Sequence, residues 1–440
     1  MRELAYTIVY GTMERNGHSD NLFHKALKSN QQLTNKQKNF LKRLAFGTIE
    51  RCVELDLRLN RLSRIPVNKM DGAVRTVLRM AAYEIYYMEQ VPEEVSCHEA
   101  VELVKKKKPY SASGFVNGVL RNLVRQKDSL LLKEDYANVC LPKPLFEHLA
   151  GQYGKKTAKK IGAAFLERSG EITLHIQTER ISAEAFRDLL REEDICCRDG
   201  IYSTESVIVS GVHNVAALPG YREGYFFVQD ESSMLPVWCA GIRPGDVVVD
   251  VCSAPGGKAL HALQALGGEG YLSARDVSLH KVNLIKENMV RMKYSNAECK
   301  VWDGTVPDPA WKEKADVLLL DVPCSGIGII GRKPEIKYRA LEQIKSLIPL
   351  QRKICESSLS MLKPGGTLIY STCTISRAEN EDNVKWLEET MGCRRESLNA
   401  WLPPELQNKM TAEGMLQMLP GVQKSDGFFV SRLKKESGNA

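Results

Sequence analysis

The apolar residues of the first 127 positions recur at helical spacing. Leu4 and Ile8 lie one turn apart, and the polar and glycine residues at 16–20 indicate a turn. Thr34 is a suitable cap for a helix that runs to residue 49. Further helices are predicted over 54–62, 71–88, 96–106 and 113–125. Because no part of this region alternates as a strand does, we expect an all-α bundle.

Residues 128–230 carry a mixed pattern. Residues 171–176 alternate like a half-buried strand, and 224–229 indicates a second strand. The spacing of apolar residues predicts helices over 146–154, 158–165 and 183–190. We therefore expect a small α+β domain that connects the two ends of the chain.

Beyond residue 240, short apolar runs alternate with helical segments. The runs predict strands over 246–251, 270–274, 297–301, 317–320, 366–370 and 428–433. The intervening segments predict helices over 258–266, 278–292, 341–362 and 378–389. This order is typical of a parallel α/β sheet with both faces covered, a Rossmann-like domain. The chain is thus expected to be multidomain, with domains at 1–127, 128–230 and 231–440.

The charge is unevenly distributed along the chain. The net charge is +7, yet residues 1–127 hold 22 basic and 13 acidic residues, or +9, which leaves −2 for the rest. A basic domain joined to a near-neutral one favours a polyanionic partner such as RNA, although a merely solvated basic surface is the alternative. The lysine run at 105–108 is a candidate for phosphate contacts, or else the solvated end of a helix.

Composition excludes several classes of protein. No apolar run approaches the roughly 18 residues that a membrane span needs, and the N-terminus lacks a secretion signal, so we expect a cytoplasmic protein. Twelve cysteines are scattered without a C-x₂-C pair or a nearby His pair, so we expect no metal site. Most of these cysteines are expected to be buried hydrophobic residues.

A glycine-rich loop follows the first strand of the predicted sheet, with the sequence DVCSAPGGK over 250–258. Glycines there allow a ligand to approach the backbone closely. A phosphate-binding P-loop is excluded, because Cys252 occupies its first glycine position and Ala259 its Ser/Thr position, and the G-x-G-x-x-G dinucleotide pattern is absent. We predict cofactor contacts from this loop, namely Cys252, Ser253, Ala254, Pro255, Gly256, Gly257 and Lys258.

Three acidic residues follow successive strands of the same sheet: Asp276, Asp303 and Asp321. An acid after the second strand suits a ribose diol, and one after the third can accept from an adenine amino group. One ribose, one adenine and no phosphate describe S-adenosylmethionine, which we predict as the cofactor.

Two cysteines also follow strands. Cys324 lies in the PCSG stretch after the fourth strand, and Cys373 in the TCT stretch after the fifth. Adjacent strands lie about 4.8 Å apart, so both thiols are expected to face one pocket. Their place at the ligand edge of the sheet separates them from the other ten.

These stretches resemble the RsmB/NOP family of RNA cytosine-5 methyltransferases over about residues 225–435. The resemblance implies that Cys373 is the nucleophile and that Cys324 assists product release. The stretches RTVLRMAAYE at 75–84 and GFVNGVLR at 114–121 resemble a NusB-like RNA-binding fold. Together the two parts are similar to the branch of the family that acts on bacterial 16S rRNA, which implies cytosine 967 as the target.

The chemistry of that family explains the residue types. A thiolate added to carbon 6 of cytosine makes carbon 5 carbanion-like, and cysteine is the side chain suited to this. Asp321 is the candidate partner of N3, and the base must be unpaired or flipped out. Lys258 is expected to polarise the pocket or hold the cofactor carboxylate, and Arg332 and Lys333 are candidates for RNA phosphate contacts.

Several alternatives stay open. A tRNA cytosine-5 methyltransferase shares the catalytic half, and only the NusB-like region favours rRNA. A DNA cytosine methyltransferase would use the cysteine of the PC motif as nucleophile and leave Cys373 idle. A non-catalytic RNA-binding ribosome-assembly factor would have no physical reason to keep both thiols and the acids. We expect a monomer that acts on free 16S rRNA.

Overall fold

A computed structural model describes residues 1–107, 111–130, 132–167, 170–212 and 214–436. Contacts within it form two compact units. The first unit comprises Met1–Leu166 and Ile330–Arg339, and the second comprises Glu167–Ile329 and Ala340–Ala440. The division into three domains at 1–127, 128–230 and 231–440 stays a prediction, which differs from this grouping.

The first unit is all-α over its described residues. Its helices are α1 (Arg2–Met13), α2 (Ser19–Lys28), α3 (Asn35–Leu62), α4 (Gly72–Tyr87), α5 (Glu93–Lys107), α6 (Ser111–Gln126), α7 (Asp135–Asn138), α8 (Lys143–Tyr153) and α9 (Lys155–Ala164). Thr34 caps α3 in a reciprocal capping box with Gln37. The apolar stripes of these helices pack into one core that includes Ile8, Leu44 and Leu78.

Two predictions for this unit are wrong. The break expected between residues 49 and 54 is absent, because α3 is one continuous helix in which buried Leu55 and Leu59 extend the apolar stripe. The turn expected at 16–20 ends at residue 18, because a helix begins at Ser19. This helix, α2, was not predicted. Only four of the ten residues of α2 are apolar (Leu22, Phe23, Ala26 and Leu27), which explains its weak signal.

A segment that lies far away in sequence completes the first unit. Residues 330–339 contain a short 3₁₀ turn, Pro334–Tyr338, and they pack among the helices. Lys337 Nζ is buried and donates to the carbonyl oxygens of Glu50 and, at 2.7 Å, Cys140. Tyr338 donates its hydroxyl to the Ile49 carbonyl at 2.7 Å. These buried bonds hold the segment in place.

The second unit contains a small antiparallel sheet. Its elements are β1 (Ile172–Ile176), α10 (Ala183–Glu192), β2 (Cys197–Asp199), β3 (Ser206–Val209) and β4 (Phe226–Val228), with strand order β2-β3-β1-β4. The sequence predicted β1, α10 and β4. It missed β2 and β3, which are only three and four residues long and too short to show an alternating pattern.

A larger eight-stranded sheet forms the rest of this unit. Its strands are β5 (Val247–Asp250), β6 (Tyr271–Asp276), β7 (Ala297–Val301), β8 (Ala315–Asp321), β9 (Leu362–Thr372), β10 (Cys393–Arg395), β11 (Met415–Met418) and β12 (Phe428–Lys435). The helices are α11 (Glu231–Ala240), α12 (Gly257–Ala265), α13 (Leu279–Arg291), α14 (Ala340–Leu359), α15 (Glu381–Met391) and α16 (Lys409–Ala412).

The sheet is mixed, so the expectation of a purely parallel sheet is wrong at one edge. The strand order is β10-β12-β9-β8-β5-β6-β7, with β11 pairing β12. Strands β9, β8, β5, β6 and β7 are parallel, whereas β12 runs antiparallel to β9 and to both of its other neighbours. An antiparallel edge on a parallel sheet is common in doubly wound folds, and hydrophobicity alone carries no strand direction.

Both faces of the sheet are covered, as predicted. Val248 packs with Leu272 in one apolar cluster, while the next residue, Val249, packs with Leu318 in another. Alternate residues of a strand point to opposite faces, so two separate clusters mean two covered faces. Among the described helices, none is both long and apolar enough to cross a membrane.

Candidate active site

The carboxyl ends of the parallel strands bring polar residues together. Asp250, Asp276 and Asp321 are the last residues of β5, β6 and β8. Asp321 lies beside Ser371 of β9 in the strand register, and Ser371 donates its hydroxyl to Asp321 Oδ1 at 2.9 Å. This edge is where ligands bind in open α/β sheets.

The glycine-rich loop spans the ends of β5 and β6. The Ser253 amide donates to the Arg275 carbonyl of β6 at 2.8 Å, and the Gly256 amide donates back to the Ser253 carbonyl at 2.8 Å. Gly256 precedes α12 with φ of +106°, a conformation that only glycine adopts readily. The loop from Cys252 to Lys258 thus lies at the ligand edge, where the sequence predicted a cofactor contact.

Lys258 and Asp321 form an ion pair within this edge. Lys258 Nζ lies 2.7 Å from Asp321 Oδ2, and the Lys258 side chain is mostly buried. Burial acts to lower the pKa of Lys258, but Asp321 and Asp250 raise it overall, so the ammonium keeps its charge. A carboxylate partner explains how a cation is accommodated at the N-terminus of α12, where the helix dipole disfavours it.

Asp250 and Ser253 are buried without partners. Both carboxyl oxygens of Asp250 and the hydroxyl of Ser253 have no hydrogen-bond partner among the described residues. Burial raises the pKa of Asp250 to about 7, and the nearby Ser253 and Lys258 oppose this only in part. Sequence reasoning missed Asp250, although an acid that ends a buried apolar strand was a usable signal.

These orphaned atoms test whether the residues fit the predicted cofactor. Buried polar groups in proteins are almost always paired, so two unpaired acceptor groups beside a glycine-rich loop fit a polar ligand. S-adenosylmethionine carries hydroxyl and ammonium donors that match these acceptors. The residues present therefore fit this cofactor, which supplies an electrophilic methyl group when bound.

The two remaining acids of the predicted cofactor site differ in burial. Asp276 is almost fully buried, accepts from the Ser278 amide at 3.1 Å and lies 3.5 Å from Lys281 Nζ. Asp303 is exposed and accepts from the amide and hydroxyl of Thr305, which lower its pKa. Asp276 is therefore part of the buried group of acids, whereas Asp303 lies outside it.

The two predicted thiols are in direct contact. Cys324 Sγ and Cys373 Sγ lie 3.3 Å apart, and both side chains are partly exposed. The hydrogen bond with Cys373, together with burial, raises the pKa of Cys324 well above its ordinary value. The raised pKa keeps Cys324 protonated at neutral pH, and either sulfur can be the donor in the contact between the two thiols.

Glu379 connects the two cysteine loops, and sequence reasoning assigned it no role. This fully buried carboxylate accepts from the Ser325 amide at 2.8 Å, the Ser325 hydroxyl at 2.5 Å and the Thr374 hydroxyl at 3.3 Å. Gln351 of α14 donates to it as well, at 3.0 Å. Because Ser325 and Thr374 directly follow Cys324 and Cys373, Glu379 fixes the separation of the two thiols.

The basic residues predicted to bind RNA lie in the first unit. Arg332 and Lys333 are exposed there, within the 330–339 segment. Lys105 pairs with Glu102 at 2.7 Å and Lys107 with Glu3 at 2.8 Å. Residue 108, the last of the lysine run, lies outside the described residues. The structure thus gives two of these lysines acidic partners within the protein.

Known families match both parts of the chain. The 16S rRNA methyltransferase RsmB/F family matches residues 239–434, and the NusB family matches residues 1–125. The crystal structure of PH0851 covers 99% of this chain and 98% of its own, with a TM-score of 0.82 at 22% identity. NSun6 from Pyrococcus horikoshii, solved with SFG, has a TM-score of 0.61 at 22% identity and covers 67% of this chain and 98% of its own. At these identities the two structures show the fold alone.

Curated relatives match the whole chain. A probable ribosomal RNA small subunit methyltransferase B from Synechocystis is 29% identical over 99% of both chains. A probable ribosomal RNA small subunit methyltransferase B from Bacillus subtilis is 30% identical, again over 99% of both chains. This chain belongs to the ribosomal RNA small subunit methyltransferase B family, whose members are S-adenosylmethionine-dependent RNA methyltransferases.

Proposed function

We propose that this chain methylates carbon 5 of a cytosine in 16S rRNA, cytosine 967, through a covalent adduct on Cys373. The observation that carries the mechanism is the 3.3 Å contact between a protonated Cys324 and Cys373 at the ligand edge of the sheet. The small-subunit rRNA substrate follows the names of the relatives, and the cytoplasm is where that substrate lies. A basic N-terminal region supports an RNA partner.

The first step is nucleophilic addition. The Cys373 thiolate forms a bond to carbon 6, and the electron pair of the 5,6 double bond becomes available at carbon 5 and the ring carbonyl. As charge builds on the ring, N3 takes up a proton from water. Asp321 then accepts hydrogen bonds from that N–H and from the N4 amino group, which stabilises the adduct. The ion pair with Lys258 and the hydrogen bond from Ser371 fix the orientation of that carboxylate.

The second part of the reaction restores the base. Carbon 5 takes the methyl group that S-adenosylmethionine supplies, and the protons on carbon 5 and N3 then leave to water. The electron pair of that C–H bond re-forms the double bond as the bond between carbon 6 and the Cys373 sulfur breaks. Cys324 donates its S–H to the departing sulfur, a role that suits a thiol with a raised pKa.

The cofactor and RNA contacts complete the proposal. Asp276, with the loop from Cys252 to Lys258, holds the cofactor, and Asp250 is an additional acceptor for it. Asp303, which is exposed, accepts a hydrogen bond from the adenine amino group of the cofactor. Asp321 lies next to both the cofactor and the target cytosine. Arg332 and Lys333 contact RNA phosphates. The target base is flipped out of any helix, because its carbon 6 must reach Cys373.

Mass spectrometry of nucleosides from a deletion strain tests the function. We expect 16S rRNA to lose one 5-methylcytidine, at position 967, while tRNA keeps all of its own. Expression of the wild-type chain restores the 5-methylcytidine of 16S rRNA, and expression of the Cys373→Ala chain does not. Loss of 5-methylcytidine from tRNA would instead identify the chain as a tRNA cytosine-5 methyltransferase. Unchanged modification of both RNAs would instead favour a non-catalytic assembly factor.

The form of the substrate has its own test. We expect the purified chain to methylate free 16S rRNA, because a flipped base must be accessible. Efficient methylation of intact 30S particles, with none of free rRNA, would contradict this expectation.

A further inference from the structure

Two buried histidines and a glutamate converge on one side of the small sheet in the second unit. One potential ligand atom from each of His175 (β1), Glu205 and His261 (α12) lies within 4.8 Å of the other two. His175 is fully buried and His261 is 4% exposed. None of the three takes part in the methyl-transfer chemistry described above, so their convergence needs a separate explanation.

The hydrogen bonds around His175 fix which of its nitrogens carries the proton. Gln229 donates its amide Nε2 to the Ser233 carbonyl at 3.0 Å, which turns Gln229 Oε1 toward the imidazole. That oxygen lies 2.8 Å from His175 Nδ1, so Nδ1 must be the donor. In a neutral ring the other nitrogen, Nε2, then presents a lone pair.

No hydrogen-bond donor among the described residues reaches that lone pair. His175 Nε2 is buried without a hydrogen-bond partner among the described residues, although Glu205 Oε2 lies 3.6 Å away. Nδ1 of His261 is likewise buried and unpartnered, and the two rings meet edge to face with centroids 4.4 Å apart. Each ring thus has a buried nitrogen that no described residue pairs, and a bound cation would satisfy both.

We propose that His175, Glu205 and His261 bind one divalent transition-metal ion of the zinc class. Two imidazole nitrogens and one carboxylate oxygen form a donor set that Zn²⁺ commonly uses. Tetrahedral ligands about 2.0–2.1 Å from zinc lie roughly 3.3 Å apart, so the 3.6 Å separation of His175 and Glu205 needs little adjustment. The bond from Gln229 to His175 Nδ1 is the outer-shell contact that orients a metal-bound histidine.

The surroundings leave the fourth coordination position open. A pocket of about 350 Å³ is lined by Glu205, His261, Trp238 and Gln264, among others. Glu205 is 37% exposed toward solvent, whereas the histidines are not. Water from this pocket completes the coordination, as in zinc sites with three protein ligands. The ion joins the small sheet to α12, the helix that begins at the glycine-rich loop.

The expectation of no metal rested on cysteine spacing. The three ligands proposed here are far apart in the sequence. His175 lies in β1, Glu205 directly precedes β3 and His261 lies in α12, so local spacing does not reveal them. The contact of β1 with α12 brings the two histidines together, and the pairing of β3 with β1 places Glu205 beside them. The cluster is also distinct from the two thiols, which are themselves capable of binding a soft metal.

Titration of the full-length, tag-free chain with Co²⁺ tests the site, with visible absorption as the readout. The chain is first dialysed against a chelator. We expect one Co²⁺ per chain with the intense bands of four-coordinate cobalt, displaced by Zn²⁺. Binding is lost in His175→Asn and Glu205→Gln, and it weakens about 10- to 100-fold in Gln229→Leu.

Two controls make the outcome specific. Cys373→Ala, which removes a thiol, and His280→Asn, which removes an exposed histidine of α13, both keep the bound cobalt. Zn²⁺ raises the melting temperature of the wild type but not of Glu205→Gln, whose near-isosteric change leaves the fold intact. Absence of stoichiometric uptake, or uptake equal in the wild type and Glu205→Gln, would overturn the proposal.

Discussion

Two groups of buried polar residues at the same edge of the sheet differ in how well they are paired. Glu379 has four hydrogen-bond donors within reach, from Ser325, Thr374 and Gln351. The carboxyl group of Asp250 and the side-chain hydroxyl of Ser253 have no partner at hydrogen-bond distance among the described residues. A fully paired buried network is rigid, whereas an unpaired one is destabilising unless a ligand completes it. We therefore infer that the Glu379 network positions the thiols and that the Asp250 group binds a ligand.

The largest expected effect concerns the thiol that the Glu379 network positions. Cys373→Ala removes the nucleophile that we propose, and we expect methyl transfer to fall by at least about four orders of magnitude. Binding of the cofactor stays unchanged. Transfer of labelled methyl groups to 16S rRNA measures the rate, with Cys196→Ala, an exposed cysteine, as the control. Methyl transfer by Cys373→Ala within tenfold of the wild type would disprove the assignment.

The second prediction changes the paired group itself. Glu379→Gln keeps the shape but replaces an acceptor oxygen with an amide donor, which opposes the Ser325 and Thr374 donors. A small displacement of reacting groups lowers rates by up to about 100-fold, so we expect kcat to fall roughly 10- to 100-fold with the KM for RNA nearly constant. The negative charge of Glu379 also contributes to the raised pKa of Cys324, so the pH profile of kcat shifts in the variant.

Its control is a carboxylate of α15 that lies away from the thiols. Glu388 pairs with the side chain of Arg395 at 2.8 Å and accepts from its amide, so we expect Glu388→Gln to keep the wild-type kcat and pH profile. Equal losses in both variants would mean that Glu379 supports the fold in general and does not position the thiols.

The third prediction changes the unpaired group. The folded pKa of Asp250 is about 7, well above the value of about 3.9 for an unfolded aspartate. Its contribution to stability is therefore fully present below about pH 4 and is lost as the pH rises through 7. We expect Asp250→Asn to stabilise the cofactor-free chain at pH 8 by roughly 1–4 kcal/mol and to change little at pH 4.

Urea unfolding of the wild type and Asp250→Asn at several pH values measures this effect. The wild type loses stability between about pH 4 and pH 7 relative to the variant. The same variant binds S-adenosylmethionine more weakly, because it offers fewer acceptor lone pairs. Parallel pH profiles for the two chains would show that Asp250 is not held protonated by its burial.

The smallest expected difference separates the two outer acids. Asp276 is buried and Asp303 is exposed, so loss of a charged hydrogen bond to the cofactor weakens binding by roughly 10-fold or more in Asp276→Asn. In Asp303→Asn we expect only about a 2- to 5-fold change, since water replaces an exposed contact readily. Calorimetric titration with the cofactor gives both values, and a reversed order would contradict the contrast in burial.

Much of the fold was predictable because long elements repeat their pattern many times. The helices α4 to α6 and the strands β5 to β8 lie close to their predicted bounds, since each has several apolar residues in register, whereas β9 begins at Leu362, ahead of its predicted start at 366. Strands β2 and β3 were missed because three or four residues are too few to show an alternating pattern. The direction of β12 could not be predicted, because burial dictates its composition whichever way it runs.

The site was predictable where a motif marks it and not where packing makes it. Cys324, Cys373, Lys258 and Asp321 all lie at the predicted sheet edge. The hydrogen-bond network of Glu379 joins residues that are far apart in the sequence. The spacing of residues along the chain therefore does not predict it. The cluster around His175 was missed for the same reason.

The Cys324→Ala variant gives the most direct test of the two-thiol mechanism. Without the S–H of Cys324, the departing Cys373 sulfur loses its hydrogen-bond donor, so release from carbon 6 is slowed after methyl transfer. Incubated with 16S rRNA and S-adenosylmethionine, this variant is expected to form a protein–RNA adduct that survives denaturing electrophoresis. Peptide mass spectrometry then places a methylated cytidine on Cys373. An adduct on another residue, or none at all, would contradict the account.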